Sequence, residues 1–186
     1  MKNILVVAIG LIFLSLIVDE SKIIWEKEKP LKWEDFKGKH DPNEELHAFT
    51  YTEIKLKSLD HPSLDSMKFC IECTFDRTKS SVMKGKETDS LLKHEQGHFD
   101  LGEIYARMMR KKIKATVFTP ADLSKSMSMI YQLYFDMYEK EQDKYDTETN
   151  HSMDGEKQTL WNKSIQKRLD ELDKYSNTIV TSKIKK

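Results

Sequence analysis

The feature that most constrains this chain is an amphipathic segment from Thr88 to Lys112, which contains the pentapeptide HEQGH at 94–98. Thr88, Asp89 and Ser90 offer N-cap oxygens and the segment ends in three cations, Arg110 to Lys112, so the pattern predicts one helix over this range. One stripe at helical spacing runs along it, formed by Leu91, His94, His98, Leu101, Tyr105 and Met108. We expect this stripe to face inward.

The two histidines of the pentapeptide lie one helical turn apart, where both imidazoles can bind a single ion. Glu95 is offset from their midpoint by about 80°, so it flanks the ion without having to ligate it. The H-E-x-x-H pattern is typical of zinc hydrolases, in which the glutamate accepts a proton from a water molecule. We therefore predict one Zn²⁺ ion on His94 and His98, with Glu95 as the catalytic base. The alternative is a chance match in which both histidines are core residues.

A catalytic zinc ion usually has three protein ligands and an open position for water, so another segment has to supply the third. Asp100 and Glu103 point about 140° and 160° away from the histidine pair, which leaves them to fix a neighbouring side chain. We predict His151 as the third ligand, because it lies in a predicted loop between two helices and imidazole suits zinc. The next candidates are Asp146 and Glu148. The alternative for His151 is a loop histidine that caps the following helix or faces water.

An apolar run at 4–18 follows the positively charged N-terminus. It is typical of a secretory signal peptide and is shorter than the roughly 20 apolar residues of a spanning helix. No clean cleavage site precedes Asp19, so an uncleaved membrane anchor is the alternative. We therefore expect a leader at 1–20, one domain at 21–186, and export to the periplasm or the extracellular space.

The balance of acidic and basic residues bears on whether the chain binds nucleic acid. Lys and Arg together number 31, as do Asp and Glu, and no long block of one sign occurs. This balance gives no support to a nucleic-acid partner. The H-E-x-x-H motif leads us to expect a peptide or protein substrate, and composition and spacing leave open a protein, a short peptide or a cell-wall crosslink.

Two alternating segments, Ala48–Leu56 and Met67–Phe75, are predicted strands that can pair antiparallel. Cys70 and Cys73 lie on the second strand, where side chains three apart face opposite sides with Cα atoms about 10 Å apart. That separation is too wide for a disulfide, so we predict two structural cysteines.

The rest of the chain is predicted to be helical, with a second helix from Leu123 to about Lys144, a loop at 145–152 and a third helix from about Gly155 to Tyr175. The tail beyond 175 is predicted to fray. A row of tyrosines on the second helix, Tyr131, Tyr138 and Tyr145, is predicted to pack with its hydroxyls at the surface. The predicted fold is therefore α+β and zincin-like, with a small antiparallel sheet followed by a helical part that carries the motif helix.

Three stretches, HEQGHFD at 94–100, WEDFKG at 33–38 and YDTETNH at 145–151, resemble a bacterial family of uncharacterised, predicted secreted zinc-dependent proteases. The resemblance implies a zinc site and points to the segment around His151 for the third ligand. Ser152 stands where that family tends to have glycine, and Val82 where a tryptophan is expected.

Together these patterns predict an exported or membrane-anchored zinc metallopeptidase. In this hypothesis a tyrosine or Arg107 helps to stabilise the oxyanion, and one predicted strand holds an extended peptide by strand addition. The alternatives are an interaction module of the envelope and a non-catalytic zinc protein. In the zinc protein, Asp146 or Glu148 would join the three histidines in a closed shell.

Overall fold

The structure, a computed structural model, describes residues 20–44, 46–59 and 65–185. Its elements are β1 (Lys22–Ile24), β2 (Ala48–Phe49), β3 (Thr52–Ser58), β4 (Ser66–Asp76), β5 (Ser81–Val82), α1 (Asp89–Ala115), β6 (Val117–Phe118), α2 (Leu123–Thr149), α3 (Gly155–Glu171) and β7 (Ile179–Ile184). The apolar run at 4–18 lies outside the described residues. Within the described ranges, no helix combines the length and apolar character needed to cross a membrane.

The long strand β4 organises the main sheet. It pairs antiparallel with β1, β3 and β7, while β7 pairs parallel with β6. Phe75 is opposite both Ile23 and Thr52, so β1 and β3 must lie on opposite sides of β4. In the described part of the chain, β3 therefore has no strand on its outer edge. The predicted antiparallel pairing of the two strands is confirmed.

The packing of β4 follows from its alternating sequence. Met67, Phe69, Ile71, Cys73 and Phe75 are buried and belong to the hydrophobic core, which also contains apolar residues of all three helices. Cys70, between them, is partly exposed, and both cysteines are free. The prediction of two unpaired, structural cysteines is confirmed.

Helix α1 begins as predicted, because the Thr88 hydroxyl accepts a hydrogen bond from the Leu91 amide at 3.2 Å. The helix lies very close to the sheet at Gly102. A Cβ added there would lie 2.6 Å from Thr52 Cγ2 and 2.8 Å from Cys73 Sγ. Only glycine allows this approach, which brings the motif helix against β3 and β4.

Arg110 was predicted to lie in the last turn of the helix, and this was wrong. The helix continues to Ala115, and Arg110 is fully buried. Its guanidinium donates to Glu103, to the Ile71 carbonyl of β4 and to the Tyr175 carbonyl that precedes β7. Arg110 therefore ties α1 to the sheet. The same Glu103 carboxylate also binds Arg107 at 2.8 Å, and Arg107 donates to the Leu169 carbonyl of α3.

Two other predictions were wrong near the C-terminus. Residues 145–149 are not a loop but the last turns of α2, because Tyr145 and Thr149 are buried against the rest of the fold. The tail does not fray, since its alternating residues Val180, Ser182 and Ile184 are buried and β7 pairs with β4. The α+β class is confirmed, with β6 and β7 after the motif helix rather than before it.

We expect Arg110→Met to lower the free energy of unfolding of the metal-free protein by about 3–5 kcal/mol, because it leaves the buried Glu103 charge with one partner fewer. The exposed neighbour Lys112 provides the control, and Lys112→Met should change that free energy by less than about 0.5 kcal/mol. Urea unfolding measures both. Equal losses in the two variants would contradict the anchoring role of Arg110.

Candidate metal centre

Three side chains from two helices converge at one point. Nε2 of His94 and Nε2 of His98, both on α1, are 3.1 Å apart. Oδ1 of Asp146, on α2, is 3.1 Å from the first nitrogen and 3.0 Å from the second. Among the described residues, this is the group of metal-ligating side chains that can hold an ion.

The protonation of His98 can be read from its hydrogen bonds. Gln142 lies with its amide nitrogen 3.1 Å from the backbone carbonyl of His98, which can only accept. The amide oxygen of Gln142 therefore faces Nδ1 of His98, and this ring nitrogen must carry the proton. In the neutral ring, Nε2 is left with a free lone pair.

His94 is held in the same tautomer by a longer circuit. The Tyr145 hydroxyl donates to the His94 carbonyl at 3.2 Å, so its oxygen accepts from the Gln158 amide nitrogen at 2.6 Å. The Gln158 oxygen then accepts from Nδ1 of His94 at 3.0 Å. Both Nε2 atoms thus face Asp146 as acceptors.

Three acceptors within 3.1 Å of one another repel unless a proton or a cation lies between them. Burial disfavours the charged ring of His98, but the adjacent Asp146 and Glu95 carboxylates raise its pKa above the usual value. Burial likewise opposes the charge of Asp146, yet contacts with the two histidines hold its pKa well below the usual range. Two imidazoles and a carboxylate in this arrangement fit a divalent metal ion.

Gly97 allows the circuit to form. A Cβ at this position would run into the Tyr145 hydroxyl and lie 2.8 Å from the ring carbon Cζ. The Tyr145 ring also stacks on His94 with 4.7 Å between centroids and 17° between planes. The glycine between the two histidines is therefore required sterically, because the buried tyrosine leaves no room for a Cβ.

Glu95 is buried beside the histidines and accepts a hydrogen bond from the Thr50 hydroxyl at 2.6 Å. It lies with them at the bottom of an open groove of about 960 Å³. Residues 46–53, which lead into β3, line one side of the groove, and α2 with the loop after it lines the other. The groove that the predicted base and the candidate ligands line is therefore large enough for a peptide segment.

His151 lies beside this group. Its Nδ1 is 3.6 Å from Asp146 Oδ1, and about half of its side chain is exposed. Asn150, His151 and Ser152 all have positive φ, between 47° and 74°, in the turn that ends α2. At Ser152 this is the left-handed conformation that glycine adopts most easily. Ligation by His151 stays a prediction.

The remaining candidates make other contacts. Asp100 accepts from the Trp25 indole at 2.7 Å and from Gln96 at 2.8 Å, and burial raises its pKa to about 6 although both hydrogen bonds oppose the shift. Glu148 accepts from the Trp161 indole at 2.9 Å. Glu103 and Arg107 form the buried ion pair described above, and Arg107 does not line the groove.

One tyrosine of the row on α2 belongs to the candidate metal centre. The hydroxyls of this row were predicted to lie at the surface, and this was wrong for Tyr145, which is fully buried. Gln142 gave no signal of its own in the sequence, because glutamines on helices are usually exposed. A second helix continued to Thr149 would have placed Gln142, Tyr145 and Asp146 on one face.

Residues 83–152 match the model of a family described as bacterial protein of unknown function (DUF922). The match covers α1 and α2, and hence His94, Glu95, His98 and Asp146. No curated protein and no solved structure matches the chain. The comparisons thus point to an uncharacterised bacterial family and name no activity.

We expect Asp146→Asn to weaken binding of zinc, used as the test ion, by more than about 100-fold. Partners that only support metal ligands cost up to about that much, so loss of a ligand's charge should cost more. Asp143→Asn is the matched control, because Asp143 is on the same helix and lines the same groove but is not one of the three side chains that converge. Competition with a chromophoric chelator measures both affinities. Equal zinc affinities in the two variants would exclude Asp146 as a ligand.

Proposed function

We propose that the protein is a zinc-dependent peptidase with one Zn²⁺ ion held by His94, His98 and Asp146. The observation that carries the proposal is the convergence of two unprotonated Nε2 atoms and one carboxylate oxygen beside Glu95, at the bottom of an open groove. Zinc suits this donor set better than calcium or magnesium, which prefer oxygen ligands alone. A zinc ion there acts as a Lewis acid and lowers the pKa of a water molecule to about 7.

Glu95 is the base in this proposal. The Thr50 hydroxyl donates a hydrogen bond to Oε2 of Glu95, and none of the described residues donates one to Oε1. Oε1 is therefore the atom that takes the proton from the attacking water and returns it to the leaving amine. Thr50 positions the carboxylate by holding Oε2, so the geometry of the base depends on the segment that leads into β3.

The edge of β3 supports a peptide as substrate. The Ile54 carbonyl points outward to the Tyr131 hydroxyl, away from β4. Since backbone groups alternate along a strand, the amide and carbonyl of Thr52 point to the same side, into the groove. An extended peptide can pair with these groups as an added strand. We also propose that the protein is exported, on the basis of the apolar run at 4–18.

We expect Glu95→Gln to lower kcat/KM on a denatured protein substrate by about 10²–10⁴-fold, because the amide cannot take the proton. Zinc affinity should stay within a few-fold, since Glu95 is not a ligand. Glu156→Gln, on the exposed surface of α3, is the control and should keep full activity. A Glu95→Gln protein that binds zinc and keeps its activity would refute this role.

A second candidate function, a non-catalytic zinc protein, is favoured by the 3.6 Å separation between His151 Nδ1 and Asp146 Oδ1. If His151 joins the other three ligands, the shell is closed and no position is left for water. Glu148 is bound to Trp161 and does not offer a fifth donor.

The two functions predict different results for His151→Ala. In the three-ligand peptidase, zinc affinity should change by less than about tenfold, whereas a closed shell should lose more than about 100-fold. His47→Ala is the control, because His47 is exposed and lines the same groove. Isothermal titration with zinc, together with a peptidase assay of the unmutated protein, separates the two cases.

A further inference from the structure

The charges that line the groove are one-sided. Five of the lining residues are acidic, Glu53, Glu95, Glu139, Asp143 and Asp146, and none is lysine or arginine. The whole chain, by contrast, has equal numbers of acidic and basic residues. The groove is therefore an anionic surface on a chain with no net charge, and it complements a cationic ligand.

Three of these carboxylates already have partners. Glu53 lies 2.7 Å from the Lys22 ammonium and 3.5 Å from that of Lys55. Glu95 binds Thr50, and Asp146 faces the two histidines. Glu139 and Asp143 differ, because they are exposed and no described lysine or arginine forms an ion pair with them. They are the charges available to a substrate.

Helix α2 places Glu139 and Asp143 at fixed distances from the candidate metal centre along its axis. Tyr131, Phe135, Glu139 and Asp143 follow each other at intervals of four residues along the wall of the groove. At 1.5 Å per residue, Asp143, Glu139 and Phe135 lie about 4.5, 10 and 16 Å along the helix from Asp146. An extended peptide advances about 3.4 Å per residue, so these distances correspond to roughly one, three and five residues.

The far end of this wall is aromatic. The rings of Tyr131 and Phe135 are stacked at 5.8 Å with 11° between their planes, and both are only partly buried. A side chain of the substrate that reaches this end meets apolar ring faces, while one nearer the metal centre meets the two carboxylates. The wall therefore distinguishes positions along a bound chain.

We propose that the groove selects extended polypeptide segments with Lys or Arg one to three residues from the cleaved bond and an aromatic or large aliphatic residue about two residues farther. This inference rests on the proposed peptidase function. Glu139 and Asp143 determine specificity by binding the cationic side chain, and the Tyr131–Phe135 pair contacts the apolar one. The outward amide and carbonyl of Thr52 on β3 hold the main chain from the opposite side.

The test compares two synthetic peptides of equal length with one central Phe, which carry either two Lys or two Glu at the positions facing α2. The full-length, zinc-loaded protein should show a kcat/KM about tenfold higher for the Lys peptide, because each exposed pair contributes up to about fivefold. The preference should shrink as salt rises from 0.01 M to 1 M. Fluorescence anisotropy with the Glu95→Gln protein measures binding of the same peptides without turnover.

The decisive variant is the double charge reversal Glu139→Lys with Asp143→Lys. Its control, Asp136→Lys with Glu171→Lys, changes the net charge equally at exposed positions outside the groove. The groove variant should lose the Lys preference or favour the Glu peptide, and the control should keep the original preference. Thermal unfolding checks that both variants fold.

The outcomes separate this inference from the proposed function. Cleavage of both peptides at equal rates, or a Lys preference that survives the groove reversal, overturns the selectivity. A preference that the control variant also loses overturns it too, since bulk charge then explains the effect. If neither peptide is cleaved but the Lys peptide binds more tightly and only the groove reversal removes this, the selectivity stands and the hydrolytic function fails.

Discussion

Two imidazole nitrogens and one carboxylate oxygen held within 3.1 Å of one another are the constraint on which the centre depends. Without a cation or an extra proton these acceptors repel, so other interactions have to hold them together. Gln142 and Gln158 do so by fixing the proton on Nδ1 of each ring, and Tyr145 completes the circuit to the His94 backbone. The circuit exists only when α2 and α3 are both packed on α1, so the geometry of the candidate metal centre depends on the packing of three helices.

The motif helix has two differently supported halves. Its C-terminal half is tied to the sheet by Gly102, whose missing Cβ allows close approach, and by the buried pairing of Glu103 with Arg110. Its N-terminal half lies under the groove and is held from the opposite side by Asp100, which accepts from Trp25. The N-terminal half of the helix, which carries the two histidines and Glu95, is therefore positioned by contacts that do not occupy the groove.

Local patterns predicted the parts of the fold that depend on local periodicity. The stripe through His94 and His98 predicted the helix and its inward face, and the polar residues at 88–90 predicted its cap. Alternation predicted the β3–β4 pair. The tail was missed because β7 is stabilised by pairing with a strand more than a hundred residues earlier, which no local window contains. Arg110 was misjudged for the same reason, since its partners Ile71 and Tyr175 are distant in sequence.

The candidate site was predicted on α1 and only partly on α2. His94, Glu95 and His98 come from one periodic segment, so their mutual placement follows from helix geometry. The segment 145–151 is rich in turn formers, and its composition favoured a loop with His151 as the principal ligand. Burial of Tyr145 and Thr149 instead extends α2, which makes Asp146 part of a helix and moves His151 to the turn beyond it.

This extension of α2 bears on how the centre relates to its groove. A ligand on a loop would be free to move relative to the groove wall, whereas Asp146 on α2 is rigidly connected to Asp143, Glu139 and Phe135. The spacing between Asp146 and these residues of the groove wall is then set by the 1.5 Å rise of the helix. Because Tyr145 of the same helix stacks on His94, any shift of this wall would also disturb the metal centre. The geometry of the candidate metal centre and that of the groove wall thus depend on the same packing of α2 against α1.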